Sequence, residues 1–219
     1  MIIKKSKWCY WIYGLVSVFF LIQAPIALAD QLRVAVASNF IFPLKELSRE
    51  FENTTGNKVL VISGSTGKLY AQIHLGAPFE VFLAADSNRP ELLEKEGIGV
   101  PGSRFVEEFG RLVMWSADPK FATKFGLHVL GQKILRYLAI ANPKTAPYGK
   151  ATEQVLRKTG YWEKIQSRLV RGENISQTLQ FVFTGNAQIG FISFSQLHSN
   201  KGLLGGTSWL VPLNLHEPS

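Results

Sequence analysis

Four short stretches rich in hydroxyl, amide and small side chains stand at the starts of expected helices, where their donors could hold a small anion. They are Ser38-Asn39, Ser65-Thr66, Pro147-Tyr148-Gly149 and Asn174-Ile175. The first amides of a helix have no intrahelical partner and carry partial positive charge from the aligned peptide dipoles. An oxyanion fits such a place without any charged side chain. Hydrogen bonds to an ionised acceptor are strong, so neutral donors suffice.

A purely structural role for the Ser/Thr cluster after residue 63 stays open, because serine and threonine before a helix are most often N-caps. Two chemical motifs are excluded. Gly67-Lys68 is followed by Leu69, and Ile62 stands where a nucleotide-binding P-loop needs its first glycine. Gly64-Ser65-Thr66-Gly67 also lacks the Gly-x-Ser-x-Gly spacing of a nucleophile elbow. The cluster therefore indicates either capping or ligand binding.

The hydrophobic pattern predicts the strands that would deliver the first two stretches. Apolar runs at residues 32–37, 59–62 and 80–85 have the composition of buried strands. Helical patterns separate them, and the buried face of the first helix is predicted to contain Leu44, Leu47 and Phe51. Strands that alternate with helices in this way favour a mostly parallel sheet with helices on its faces.

A second α/β alternation follows the first. It predicts strands at 111–115, 138–141, 168–170, 189–193 and 209–211, the end of a helix at 133–137 and a helix at 150–158. Asn174 is expected to cap one further helix, with Gln177 reaching back to it. We therefore expect two α/β lobes, residues 30–110 and 111–219. Ligands of open α/β sheets bind outside the carboxyl ends of the strands, so the four stretches should converge in a cleft between the lobes.

The N-terminus has the features of a secretory signal peptide. Three lysines precede an apolar stretch over residues 8–22, and Ala27-Leu28-Ala29 forms a cleavage pattern before Asp30. An uncleaved membrane anchor is the alternative, but the small residues at the cleavage pattern favour removal of residues 1–29. Cys9 is the only cysteine, so the mature chain would contain no disulfide.

Charge and composition exclude several classes of protein. The formal net charge is +8, and three of these positive charges belong to the signal. No run of five or six like charges and no basic stripe among aromatics is present, so we expect no nucleic-acid partner. The four histidines have no metal-ligand spacing, and no nucleophile–base pair accompanies Asp86. We expect neither enzymatic activity nor a cofactor.

Several motifs taken together resemble the periplasmic molybdate-binding proteins of ABC transporters. They are Val36 to Phe40, Ser63 to Gly67 with Tyr70 to Ile73, Gly76 to Pro78, Ala84 to Asp86, Pro101 to Phe105, and Asn142-Pro143 with Ala146 to Gly149. The resemblance covers nearly the whole mature chain. It implies a type II, two-lobed periplasmic-binding fold and a periplasmic location. It also implies that the protein, expected to be a monomer, delivers molybdate or tungstate to a permease in the inner membrane.

The resemblance further implies which residues hold the anion. By position, Ser38 and Thr66 match the hydroxyl ligands of the family, and Asn39 matches a side-chain or amide donor. Tyr148 and Ile175 match backbone amides contributed by the second lobe. Ser65 is a further candidate because of its place beside Thr66.

Two departures from the family pattern matter. Ser193 stands where some members place a tyrosine whose hydroxyl contacts the ligand, so this contact is expected to be shorter or absent. Family members also usually continue beyond the strand at 209–212 with elements that complete the first lobe. We therefore expect a first lobe without its last strand and helices, with an open sheet edge and uncovered apolar surface.

Other functions remain open at this point. Sulfate has the same charge as molybdate, and only cavity size would separate the two. Phosphate often carries a proton and would want a carboxylate acceptor, which these stretches lack. An enzyme on the same fold would need an acid–base pair or a nucleophile in the cleft. A sensor domain would need a helix-turn-helix segment and a cytoplasmic location, against which the signal peptide argues.

Overall fold

The first half of the chain forms a three-stranded parallel sheet. In the computed structural model, which describes residues 31–107, 109–121, 123–199 and 204–217, this sheet has the order β2-β1-β3. Its elements are β1 (Gln31–Ala37), α1 (Ile41–Thr55), β2 (Lys58–Gly64), α2 (Thr66–His74), β3 (Val81–Leu83) and α3 (Asn88–Lys95). The predicted alternation and parallel pairing are confirmed. The predicted signal peptide lies outside the described residues.

Helix α1 packs on this sheet through fewer residues than predicted. Leu44 is buried and joins the cluster around Val34 and Val36. The prediction was wrong for Leu47 and Phe51, whose side chains are 53% and 40% exposed. The sheet offers only three strands among the described residues, so it covers a narrow stripe of the helix.

The second half of the chain forms a five-stranded mixed sheet with the order β6-β5-β7-β4-β8. Its strands are β4 (Leu112–Ser116), β5 (Leu138–Ala141), β6 (Leu169–Gly172), β7 (Ile189–Ser193) and β8 (Thr207–Leu210). Strand β5 pairs in parallel with β6 and β7, whereas β4 is antiparallel to β7 and β8. The sequence did not reveal the antiparallel strands. Strands β4, β5 and β7 are buried throughout, as befits a sheet covered on both faces.

Helices cover this second sheet. They are α4 (Pro147–Lys158), α5 (Trp162–Ile165), α6 (Ile175–Phe183) and α7 (Phe194–Ser199), with 3-10 helices at Thr123–Gly131, Gln166–Arg168 and Leu213–Leu215. Helix α4 buries Val155 and Leu156 completely. The largest cluster of buried apolar residues lies here and includes Leu112, Ile140 and Phe191.

The predicted end of a helix at residues 133–137 is wrong. The backbone amides of Arg136 and Tyr137 donate to the side-chain oxygen of Gln188, at 3.2 and 2.8 Å. A side chain from a distant part of the sequence thus takes the amides that a helix would bond internally. The 3-10 helix at Thr123–Gly131 precedes this segment instead.

The two sheets use residues on either side of position 110, where the sequence predicted the boundary between lobes. Residues 31–219 nevertheless cluster as one compact unit by their contacts, and the boundary stays a prediction. Below, "first half" denotes residues 31–107 and "second half" residues 109–217. Within the described residues, no helix combines the length and apolar character needed to cross a membrane.

Candidate functional site

A pocket lies where the carboxyl ends of β1 and β2 meet the starts of α4 and α6. Its lining comprises Ala37, Ser38, Asn39, Gly64, Ser65, Thr66, Ala85, Ala146, Pro147, Tyr148, Asn174 and Ile175. It contains about 190 Å³ of empty space, part of it open solvent. No lining residue carries a formal charge. Such a pocket suits a small ligand held by neutral donors.

All six residues that the sequence nominated line this one pocket. They are Ser38, Asn39, Ser65, Thr66, Tyr148 and Ile175. All are buried except Asn39, which is half-buried. The structure therefore brings the four helix starts of the two halves together, as expected. Whether these residues bind a ligand stays a prediction.

The first donor stretch is a single 3-10 turn, Ser38–Phe40, at the end of β1. Strand β1 is the central strand of its sheet and is buried from Val34 to Ala37. The turn therefore begins at a fixed point, with Ser38 only 3% exposed. Helix α1 follows directly at Ile41.

The hydroxyl of Thr66 is oriented by the end of the neighbouring strand. The amide of Ala85 donates to Thr66 Oγ1 at 3.1 Å. Because this contact uses a lone pair of the oxygen, the hydroxyl hydrogen of Thr66 is left for an acceptor. Thr66 and Ala85 both line the pocket, so an anion there is a suitable acceptor.

The neighbouring hydroxyl has a different partner. Ser65 Oγ donates to Glu173 Oε1 at 2.9 Å. A serine hydroxyl has one hydrogen, so this bond uses the donor that an anion would need. Of the two adjacent candidates, the geometry therefore favours Thr66 over Ser65 as a hydroxyl ligand.

Three backbone amides at the start of α2 have partners within the protein. Lys68 N and Leu69 N donate to the carbonyl of Ser65, at 3.1 and 3.0 Å. Gly67 N donates to the carbonyl of Thr145 in the second half, at 2.8 Å. These bonds do not use the amide of Thr66, the first helical residue.

Helix α6 shows the same arrangement. Asn174 is its N-cap, and its side-chain oxygen accepts from the amides of Ser176 and Gln177 at 3.0 Å each. The cap does not use the amide of Ile175, the first helical residue. The predicted capping role of Asn174 is confirmed, but Gln177 reaches back to the amide of Glu173, at 2.6 Å, rather than to Asn174.

Helix α4 begins earlier than predicted. Pro147 is its first residue, which needs no amide partner, and Tyr148 follows in the first turn. Gly149 allows this turn to approach the end of β5, since a Cβ there would lie 2.4 Å from the carbonyl oxygen of Ala141. This close approach places Tyr148 in the pocket lining.

The two halves are joined around the pocket by further hydrogen bonds. Ser176 Oγ donates to the carbonyl of Ser38 at 3.1 Å, and Ser195 Oγ donates to the carbonyl of Asn39 at 2.8 Å. Sequence reasoning missed both serines, as well as Thr145 and Glu173. Thr145, Glu173 and Ser176 lie beside stretches that the sequence singled out, but only the folded chain reveals their partners.

Charged groups stay at the edge of the pocket or away from it. Lys68 Nζ lies 4.0 Å from the carboxylate of Glu173, and both side chains are largely exposed. Glu96 accepts from the Tyr70 hydroxyl at 2.7 Å, and this bond holds the pKa of that carboxyl below its ordinary value. A hydrogen bond from Arg104 lowers the pKa of Glu94 in the same way.

Two other residues that the sequence singled out, Asp86 and Ser193, have partners outside the pocket lining. In the part of the chain that the structure describes, no three His, Cys, Asp or Glu side chains are grouped to hold a metal ion. Asp86 accepts from the backbone amide of Arg89 at 2.9 Å and pairs with its guanidinium. It therefore anchors the start of α3. Ser193 is buried, lies outside the pocket lining and hydrogen-bonds Ser195.

The fold and the pocket between its sheets define a class of protein that the family comparison identifies. Residues 32–219 match the family described as bacterial extracellular solute-binding protein. The chain belongs to this family.

Particular relatives are more informative still. The chain is 52% identical over 192 residues to the molybdate-binding protein ModA of Azotobacter vinelandii. This alignment covers 88% of this chain and 76% of that protein. It is 44% identical to ModA of Rhodobacter capsulatus, with coverage of 88% and 74%. The resemblance to molybdate-binding proteins is confirmed. These relatives are binding proteins, in agreement with the expectation of no enzymatic activity.

Solved structures agree with the fold. The Azotobacter vinelandii periplasmic molybdate-binding protein superimposes with a TM-score of 0.81 at 40% identity, over 85% of this chain and 81% of that chain. The sulfate-binding protein SubI of Mycobacterium tuberculosis gives a TM-score of 0.65 at 9% identity, over 83% and 70%. At that identity the likeness extends to the fold alone. The expected type of α/β fold is confirmed.

Proposed function

We propose that this protein is the periplasmic binding component of an ABC uptake system and that it captures molybdate or tungstate in the pocket. The observation that carries the proposal is the convergence of hydrogen-bond donors from both halves on one uncharged pocket. The ligands are the hydroxyls of Ser38 and Thr66, a donor of Asn39, and the backbone amides of Tyr148 and Ile175.

The chemistry of the donors supports a fully ionised tetrahedral anion. The proposed ligands are hydroxyl and amide groups that can each donate a hydrogen bond, and a doubly negative oxyanion can accept at all four of its oxygens. The helix starts of α2, α4 and α6 contribute partial positive charge without the desolvation cost of a buried arginine or lysine. Discrimination against a protonated anion follows, because no carboxylate belongs to the pocket lining.

Binding operates through closure of the two halves. Donors of the first half (Ser38, Asn39, Thr66) and of the second half (Tyr148, Ile175) meet the same anion, so the ligand stabilises the closed state over the open one. Hydrogen bonds such as Gly67 N to Thr145 O at 2.8 Å add to the closed state. A permease that recognises only the closed form then accepts loaded protein.

Sulfate is the second candidate, since it presents the same charge and shape. The names of the similar proteins favour molybdate. The relatives at 52% and 44% identity are described as molybdate-binding, whereas the sulfate-binding protein is only 9% identical. Sulfate is the smaller anion, and the pocket would discriminate by the distance between its opposing donors.

Location and partners follow from the family. An extracellular solute-binding protein acts outside the cytoplasmic membrane, and a signal peptide at residues 1–29, cleaved before Asp30, would place it in the periplasm. The relevant membrane partner is the permease of a molybdate transporter. We expect the protein to act as a monomer, because one chain supplies every proposed ligand.

Isothermal titration calorimetry tests the proposal. The purified protein is titrated with molybdate, tungstate, sulfate and phosphate at constant ionic strength. We expect saturable binding of one molybdate or tungstate per chain, with sulfate and phosphate at least about a hundredfold weaker, a free-energy gap of about 2.7 kcal/mol. Binding of sulfate without molybdate would contradict the assignment.

A further inference from the structure

The carbonyl oxygens of Ser38 and Asn39 are both bound by hydroxyls from the second half of the chain. Ser176 Oγ donates to Ser38 O at 3.1 Å, and Ser195 Oγ donates to Asn39 O at 2.8 Å. These two carbonyls belong to the 3-10 turn that carries two of the proposed anion ligands. Two successive peptide groups of the turn are therefore held from outside it.

Gln196, which has no exposed surface, bonds Ser176 directly and reaches Ser195 through Ser193. The backbone amide of Ser193 donates to Gln196 Oε1 at 3.1 Å. A backbone N–H can only donate, so this contact fixes which side-chain atom of Gln196 is oxygen. The nitrogen, Nε2, then donates to Ser176 Oγ at 3.3 Å.

The hydrogen bonds form two directed chains that begin at Gln196. In one, Gln196 Nε2 donates to Ser176, whose hydroxyl donates to the carbonyl of Ser38. In the other, Gln196 N donates to Ser193 Oγ at 3.3 Å, Ser193 and Ser195 share a bond of 3.0 Å, and Ser195 donates to Asn39 O. Since Ser195 spends its hydrogen on Asn39, Ser193 must be the donor to Ser195. Each bond in such a chain polarises the next.

The consequence for the pocket follows from the planar trans peptide. The carbonyl of Ser38 and the amide of Asn39 belong to one peptide group and point in opposite directions. A hydrogen bond to the carbonyl therefore also fixes the direction of the amide. The same bond gives the partially negative carbonyl oxygen a donor, close to the anion site. The same holds for the carbonyl of Asn39 and the amide of Phe40.

We propose that Gln196, acting through Ser176 and Ser195, positions the Ser38–Asn39 turn for anion binding when the two halves close. This inference rests on the proposed function and adds three residues to it that contact no anion themselves. Ser176 and Ser195 are positioning residues because their hydroxyl hydrogens are committed to carbonyls.

The test compares alanine with threonine at each serine. Ser176→Ala and Ser195→Ala each remove one bond to the first half and one bond inside the second half, whereas Ser176→Thr and Ser195→Thr keep the hydroxyl. Ser199→Ala is the matched control, because Ser199 is exposed on the same helix as Ser195. Dissociation constants for molybdate, tungstate and sulfate are measured by calorimetry, and thermal unfolding midpoints are measured without anion.

We expect each alanine variant to bind the anion about threefold to tenfold more weakly, the effect of one net hydrogen bond. The threonine variants and Ser199→Ala keep the affinity of the wild type. The unfolding midpoint without anion falls by less than the loss of binding free energy, because only the bond inside the second half is lost from the open state. Gln196→Met removes the side-chain bonds to Ser176 Oγ and Ser193 N but keeps the backbone bond to Ser193 Oγ. We expect it to weaken binding about threefold to tenfold, as Ser176→Ala does.

Two results overturn the inference while leaving the proposed function in place. The first is wild-type affinity in both alanine variants. The second is a loss of affinity that appears only together with an equal fall of the unfolding midpoint, as general destabilisation would produce. If the wild type binds none of the three anions, the proposed function fails and this inference fails with it.

Discussion

Ser65 of the first half donates its hydroxyl hydrogen to Glu173 of the second half, with Oγ and Oε1 2.9 Å apart. This bond crosses the cleft at the edge of the pocket, next to Thr66. It gives different roles to two adjacent hydroxyl residues that the sequence alone does not distinguish. Ser65 helps to hold the halves together, and Thr66 keeps its hydrogen for the ligand.

Substitutions at these two positions should therefore differ in effect. Thr66→Val removes a donor to an ionised acceptor, and we expect molybdate affinity to fall about tenfold to a hundredfold, from about 1.5–3 kcal/mol per charged hydrogen bond. Ser65→Ala should cost less, about threefold to tenfold, because it removes a bond between the halves and none to the ligand. Calorimetry measures both, with Thr66→Ser as the variant that keeps the hydroxyl. Equal losses at the two positions would show that Ser65 is also a ligand.

Gly67 tests closure of the halves without touching the ligand. A Cβ at this position would lie 2.9 Å from the carbonyl oxygen of Thr145 in the second half. We expect Gly67→Ala to weaken binding about tenfold or more, because overpacking costs roughly 1–3 kcal/mol. Gly131→Ala is the control, since a Cβ there meets nothing within 4 Å. Unchanged affinity in Gly67→Ala would mean that binding does not need this approach.

Two substitutions of Asn174 should separate its effect on the free energy of unfolding from its effect on molybdate binding. Asn174→Ala removes the cap of α6 and is expected to lower the free energy of unfolding by about 1 kcal/mol. Asn174→Asp retains a capping oxygen, so it keeps stability, but it adds a negative charge to the pocket lining. We expect this second variant to bind molybdate about tenfold more weakly or worse. Chemical denaturation and calorimetry measure the two effects, and undiminished binding by Asn174→Asp would argue against an anion in the pocket.

The pH dependence of stability should include a contribution from Glu94. The hydrogen bond from Arg104, followed by that from the Gly102 amide, lowers the pKa of Glu94. A lowered pKa means that the folded protein favours the carboxylate, so this stabilisation is present above the ordinary glutamate pKa and is lost as the pH falls through the folded value. Glu94→Gln should lower the unfolding midpoint at pH 7 but reduce its fall towards pH 3.

The control for that measurement is Glu46→Gln, at an exposed carboxylate of α1. We expect this variant to follow the wild type at every pH. A Glu94→Gln profile that is parallel to that of the wild type would contradict the assigned role of the Arg104 contact.

Because no Asp, Glu, His, Lys or Arg side chain lines the pocket, molybdate affinity itself should vary little between pH 6 and 8.

Periodicity was sufficient to predict several of the regular elements. The predicted strands at 138–141 and 189–193 coincide with β5 and β7, because continuous apolar runs bounded by turn residues are typical of buried strands. The four donor stretches converge as expected, since the ends of parallel strands share one edge of a sheet.

Local sequence patterns could not predict contacts between distant segments of the chain. Gln188 supplies an acceptor to the amides of residues 136 and 137, where the sequence predicted the end of a helix. Gln196 has the composition of an ordinary helix residue, yet it is fully buried between two serines. The burial of Leu47 was overestimated because helix periodicity does not reveal how wide the opposing sheet is. Such features depend on partners that only the folded chain brings together.

Crystals grown with molybdate, with anomalous diffraction data collected at the molybdenum absorption edge, test the central claim most directly. We expect one anomalous peak in the pocket, with anion oxygens within hydrogen-bonding distance of the Ser38 and Thr66 hydroxyls and the Tyr148 and Ile175 amides. No lysine or arginine should touch the anion. A peak elsewhere, or one coordinated by charged side chains, would contradict the account.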